Sequence, residues 1–176
     1  MPTLIDRHGA RVDRWSWFDP ASTVTAAGAP SANDTRLLLS LEQWQTHGES
    51  LLAAGAQVGI CLEPGEGPEQ IAGLLDRLGL VAVRFSAFTD GRGYSTARLL
   101  RQRYGWSGEL RAVGDVLRDQ MFYLARCGFD TFDLKDGESV ADALSGFGDF
   151  TEAYQAAVDR GPLFRRRREA AEASGP

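Results

Sequence analysis

The residues best suited to chemistry in this chain fall in two short polar clusters. The first reads Thr89-Asp90-Gly91-Arg92-Gly93-Tyr94-Ser95, and the second runs from Gly114-Asp115 to Arg118-Asp119-Gln120. Gly91 and Gly93 let the backbone turn tightly and come close to a ligand. Arg92 between them offers a forked set of donors, and Tyr94 and Ser95 open a helix whose first amides lack internal partners and carry partial positive charge. That combination points to an anion. The same residues also suit a plain Asp90-Gly91 turn, with Asp90 or Ser95 capping the helix. In the second cluster Gly114 allows a tight exit and Asp115 is placed to cap the next helix. Arg118 stands where acidic residues are favoured, so it faces either a ligand or one of the neighbouring carboxylates.

Catalytic templates fit these clusters poorly. No histidine lies between residues 85 and 129, which removes Ser–His and Cys–His machinery there. General acid or base work would fall to Asp90, Asp115, Asp119 or Tyr94. Cys61 and Cys127 stand far apart and outside any CxxC spacing, and read as reduced thiols. His8 and His47 are the two histidines, too few to build a zinc site with these cysteines. No P-loop or full dinucleotide fingerprint is present, so the sequence requires no particular cofactor.

The elements that must position these clusters alternate along the chain. Strands are expected over residues 36–40, 57–62, 80–86, 109–113 and 130–134. Helices are expected over 41–54, 68–78, 94–104 and 116–127, with two short ones near 138–145 and 149–158. Strands alternating with helices mean βαβ crossovers and an α/β fold of about five parallel strands. Both polar clusters then leave C-terminal strand ends, where ligands of such folds bind. A partial (β/α) barrel is the first expectation and a flavodoxin-like open sheet the second. A full eight-unit barrel takes about 250 residues, so this chain would be part of one or would pair with a copy of itself. An exposed parallel edge favours such a homodimer. By alternation Val81, Val83 and Phe85 share one face of their strand, with Ala82 and Arg84 on the other. Glu109, Arg111 and Val113 share a face of the next. Parallel strands are normally apolar on both faces, so Arg84, Glu109, Arg111 and Asp133 either line a ligand site or pair with one another inside the sheet.

The chain has 176 residues, 43% hydrophobic and 24% charged, which suits one globular domain and excludes wholesale disorder. Residues 1–35 read as a loosely ordered leader in which Trp15, Trp17 and Phe18 could dock an edge. Residues 36–160 read as the α/β domain, and 161–176 as an Arg-rich tail containing Arg165–Arg168. The net charge of −5 is segregated: residues 1–83 carry −5, residues 84–126 carry +4 and the remainder −4. A basic centre in an acidic chain indicates a local anion site and argues against a nucleic-acid surface. No apolar run is long enough for a membrane span and no secretory signal is evident, so the expected location is the cytoplasm.

Over Phe88-Thr-Asp-Gly-Arg-Gly-Tyr-Ser95, Gly108-Glu-Leu-Arg-Ala-Val-Gly-Asp115 and Arg126-Cys-Gly-Phe-Asp130 the sequence resembles the bacterial domain of unknown function 934 family, from about residue 37 to 134. The resemblance implies a setting in sulfate and sulfite assimilation, because relatives are commonly encoded beside sulfite reductase and are labelled oxidoreductases of sulfite reduction. Three functions follow as expectations. The first is binding of an oxyanion or phosphorylated ligand at an Arg92/Arg111/Arg118 cluster. The second is non-catalytic docking on sulfite reductase or another assimilation enzyme. The third is a flavin- or nicotinamide-dependent oxidoreductase.

Overall fold

Strands such as Gln57–Leu62 and Leu80–Phe85 are apolar on both faces, and such runs are stable only when both faces are covered. The computed structural model describes residues 3–21, 35–87 and 89–149. Among these the sheet has eight strands in the order β2-β1-β8-β7-β6-β5-β4-β3. Strands β3 (Ser16–Trp17), β4 (Arg36–Ser40), β5 (Gln57–Leu62), β6 (Leu80–Phe85), β7 (Glu109–Gly114) and β8 (Thr131–Leu134) run parallel in sequence order. β1 (Thr3–Asp6) adds antiparallel to β8, and β2 (Gly9–Ala10) folds back on β1. From β4 to β8 the order never reverses, which keeps those crossovers on one side and curls the sheet into a half-barrel. The flavodoxin-like alternative requires a reversal and is excluded.

The helices cover the convex face. Leu100 and Ala97 of α3 (Arg92–Gln102), Met121 and Leu124 of α4 (Met121–Cys127) and Ala143 of α5 (Val140–Gly146) join Val81, Val83, Phe85, Leu110 and Ala112 in the main core. The first helical run starts at a capping box, in which Ser40 and Gln43 exchange side-chain and backbone bonds of 2.9 and 3.1 Å. It continues as α1 (Leu41–Gln43), a π turn over Trp44–Gly48 and α2 (Glu49–Ala53). Two segments differ from the expected helices. Residues 68–78 form two 3₁₀ pieces, Pro68–Gln70 and Ala72–Arg77, with Pro68 at the first position of the first piece and Gly73 weakening the second. The expected helix from residue 116 begins with a 3₁₀ turn at Arg118–Gln120 because Gln120 Oε1 accepts the Leu117 amide at 2.9 Å.

The concave face carries a second, smaller core of Trp15, Leu38, Cys61, Leu80, Ala82 and Val113. Its side chains stack in layers set by the register: Leu38, Gly59, Leu80 and Glu109 in one, and Ser40, Cys61, Ala82, Arg111 and Thr131 in the next. Trp15, only 9% exposed, lies against Gly59 and Gly79, where an added Cβ would come within 3.2 and 2.9 Å of its ring. Residues 3–17 therefore supply three strands and a strap across the concave face, where the sequence reading expects only a leader with a docked aromatic edge. Strands of two to four residues carry too little alternation to be read, and their pairing comes from the strands already in place. Both sheet edges, β2 and β3, are two residues long, which leaves little edge for strand pairing with another chain. The stretch 23–33, Phe88, nearly all of the expected helix 149–158 and the Arg-rich tail lie outside the described residues. No helix among the described residues is long and apolar enough to cross a membrane.

Candidate functional site

In the first polar cluster the donors of Arg92 are taken by the cluster's own Asp90. Arg92 donates to the Asp90 carboxylate through Nε at 2.9 Å and Nη2 at 2.7 Å, and its backbone amide adds a bond of 3.1 Å. The guanidinium beside Asp90, helped by that amide, holds the carboxyl down at about 2. α3 thus starts at Arg92, and Ser95, expected near its beginning, lies inside the first turn and exposed, as Thr89 is in the loop. Tyr94 packs edge-on against Phe85 at 5.3 Å, and burial pushes its hydroxyl up, away from use as a base near neutrality.

The two glycines of this loop differ. Gly93 is buried, and a Cβ there would lie 2.5 Å from the Phe85 ring, whereas Gly91 has an ordinary φ of −79° and open space around it. Gly93→Ala is expected to lose about 1–3 kcal/mol by overpacking. Gly91→Ala should be neutral or stabilising by about 0.4–1 kcal/mol through the unfolded chain. Urea unfolding of the two variants checks the contrast, and equal losses would mean the loop needs both glycines for another reason.

In the second cluster Gly114 takes φ +95°, and a Cβ would meet the Phe85 carbonyl oxygen at 2.5 Å. Asp115 does not cap the helix; Gln120 has that role, and Asp115 instead pairs with Lys135 at 2.6 Å. Arg118 meets the carboxylates Asp119 and Asp149 at 3.0 and 2.8 Å. Arg111 is buried on the concave face and bonds Asp13 at 2.8 Å and Glu109 at 3.0 Å, and Glu109 also accepts from Thr131 at 2.7 Å. The expected Arg92/Arg111/Arg118 cluster is not assembled: among the described residues the three share no partner. Each stands in a different environment because alternation and crossovers separate them.

What the C-terminal strand ends do bring together is a cleft of about 370 Å³ lined by Trp17, Arg84, Gly114, Asp133, Lys135 and Asp136, among others. Among the described residues Arg84 gives only its Nε–H to a carboxylate, that of Glu63 at 2.8 Å. Its guanidinium lies 5.1 Å from the centre of the Trp17 indole, which is 49% exposed. Cys61 lies beneath Arg84 with its thiol pushed up to about 12 by burial, so it is no nucleophile. Asp133 makes no hydrogen bond or ion pair among the described residues, and burial raises its carboxyl above the usual range. Of the expected site residues, Arg84 and Gly114 enter this cleft. Trp17, Lys135 and Asp136 were not legible as members, although Asp133 already stood out as a charge on a parallel strand. No group of three or more His, Cys, Asp or Glu among the described residues could hold a metal ion.

The raised carboxyl of Asp133 has a stability consequence. A group whose pKa rises on folding stabilises below its unfolded value and loses that contribution as pH climbs through the folded value. Asp133→Asn is accordingly expected to raise the melting temperature at pH 7 and to leave it unchanged near pH 3. A lowered melting temperature at pH 7 would mean the carboxylate has a stabilising partner. A destabilising group kept at the mouth of a cleft is characteristic of binding sites.

Fold and cleft together define an α/β half-barrel with a mixed-charge pocket at the C-terminal ends of its parallel strands. The chain belongs to the family described as bacterial protein of unknown function (DUF934), whose model matches residues 59–164. Among solved structures it is similar to the Bacillus subtilis YkuI protein, which has an EAL domain and was crystallised with its substrate c-di-GMP and calcium. That likeness has a TM-score of 0.46 at 14% identity, over 80% of this chain and 36% of that one. It is also similar to an EAL domain protein from Listeria monocytogenes EGD-e, with a TM-score of 0.42 at 16% identity, over 65% of this chain and 50% of that one. The chain thus spans half or less of the length of these two structures. No curated protein matches it.

Proposed function

We propose that this protein binds a small anionic ligand of sulfur assimilation in the cleft at the ends of β6, β7 and β8. The observation that carries the reading is Arg84, which gives its Nε–H to Glu63 and shares one cleft with Lys135 and the half-exposed Trp17. Arg84 and Lys135 take the anionic group. Asp133 and Asp136 accept from hydrogen-bond donors on the same ligand, and the open part of the Trp17 indole takes a planar portion. Adenylyl sulfate has all three features, and the family's setting beside sulfite reductase makes such compounds the first to test. Thermal unfolding against sulfite, sulfate, phosphate, adenylyl sulfates, flavins and nicotinamide cofactors tests it, with Arg84→Gln in parallel. A ligand at 100 times its Kd stabilises by about 2.7 kcal/mol, which is roughly 5–11 °C at this size. A shift for adenylyl sulfate in the wild type that disappears in Arg84→Gln supports the reading. A flat response to the whole panel overturns it, and a shift with flavin or nicotinamide alone moves the assignment to an oxidoreductase.

A second reading, docking on sulfite reductase, draws on Leu99 and Tyr123, which are 40% and 50% exposed on the adjoining helices α3 and α4. Co-purification with sulfite reductase that is lost in the Leu99→Ser/Tyr123→Ser double variant would favour it.

A further inference from the structure

The opposite end of the half-barrel holds a second cleft, of about 520 Å³, over the N-terminal ends of β4, β7 and β8. Four guanidinium groups line it: Arg11, Arg14, Arg36 and Arg111. Their engagements differ. Arg111 forms the floor and is paired with Glu109 and Asp13, and Arg11 reaches Asp6 at 3.2 Å. Arg14 has no hydrogen bond or ion pair among the described residues, and Arg36 holds its Nε–H out of solvent with no acceptor. Among the described residues of the lining the carboxylate is Glu109, already shared between Arg111 and Thr131.

A buried donor left without an acceptor is costly, and two guanidinium groups without a counter-charge beside a third repel one another. The repulsion falls when an oxyanion enters, because its oxygens accept from the fork of Arg14 and the outer amino groups of Arg36 while its charge offsets the excess of cations. We propose that this cleft is a second anion site, distinct from the cleft at the C-terminal strand ends, and that it takes a tetrahedral dianion of the phosphate or sulfate class, free or as the terminal group of a small ester. Arg36 supplies its outer amino groups, Arg14 an exposed clamp from the strap, and Arg111 the floor, its own bonds to Glu109 and Asp13 staying in place. Because Arg14 belongs to the strap, binding also fastens residues 11–15 to the sheet.

Isothermal titration with inorganic phosphate, inorganic sulfate and glycerol 3-phosphate at constant ionic strength tests the site, on wild type, Arg14→Gln, Arg36→Met and Arg84→Gln. The expected result is saturable binding in the wild type and in Arg84→Gln, weakened about tenfold or more in Arg14→Gln, as loss of a charge-assisted hydrogen bond implies. Arg14 is exposed and unpartnered, so its variant folds and serves as the test if Arg36→Met does not. Tighter binding of glycerol 3-phosphate than of the inorganic ions identifies an ester ligand, and the reverse order a free ion. Absence of saturable binding by all three probes overturns the proposal, as does binding that Arg14→Gln leaves intact or that only Arg84→Gln removes.

Discussion

Arg111→Ala is expected to lose about 3–5 kcal/mol of folding stability, because it removes a buried cation with its packing and leaves two part-exposed carboxylates, Glu109 and Asp13, without their counter-charge. The side chain is 3% exposed, bonds Glu109 through Nε and Nη2 at 3.2 and 3.0 Å, and bonds Asp13 through Nη1 at 2.8 Å. Removing it leaves two carboxylates facing each other on the concave side. At this chain length the loss corresponds to a fall of roughly 6–20 °C in melting temperature. A triple replacement, Arg111→Met with Glu109→Gln and Asp13→Asn, should recover most of it, since no charge is then left uncompensated. Asp13 is the strap's polar anchor, so Arg111→Ala should also open residues 11–14 to limited proteolysis. Chemical denaturation reads the first effect and cleavage mapping the second. An Arg111→Ala protein as stable as the wild type would mean the charge group contributes nothing net.

The second large effect is expected at Arg101, a residue that carries no motif signal. Its guanidinium, 12% exposed, donates to the carbonyls of Trp106, Gly108 and Gly128 and to the Asp130 carboxylate, at 2.6 to 3.0 Å. Asp130 in turn accepts the Leu110 amide at 2.9 Å. One side chain on α3 therefore ties together the entry to β7, the end of α4 and the approach to β8. Gly128, with φ +105°, ends α4, and a Cβ there would lie 2.7 Å from Arg101 Cγ. Arg101→Ala leaves three carbonyls and a carboxylate short of donors and is expected to cost about 3–4 kcal/mol. Arg101→Lys should recover less than half, because an ammonium cannot span the same set of acceptors. Equilibrium unfolding measures both, and a full recovery by lysine would show that charge alone matters there.

Gly108 and the Gly128-Phe-Asp130 segment face Arg101 and serve packing and backbone bonding at the N-terminal end of the half-barrel, away from the cleft at its C-terminal end. The glycine loop teaches a related lesson. Its composition suits either an anion or an Asp90 turn at a helix start, and Asp90, two residues before Arg92, occupies that place. An internal carboxylate competes with any external ion at no cost in translational entropy, and sequence spacing cannot tell the two apart.

Strand and helix alternation, the two faces of β6 and β7, the choice of a part-barrel from chain length, and the anomaly of charges on parallel strands were all legible from residue types and their period. They depend on local preference and alternation, which a linear pattern carries. The short strands β1 to β3, the burial of Trp15 under the sheet and the meeting of Asp13 with Arg111 were not legible, because the strands are too short to show alternation and Asp13 stands 98 residues from Arg111. The cleft of Trp17, Arg84, Asp133 and Lys135 arose in the same way. Curvature of the sheet brings the end of β3 over β6 and β8, and only closure in three dimensions makes neighbours of residues from three separate strands.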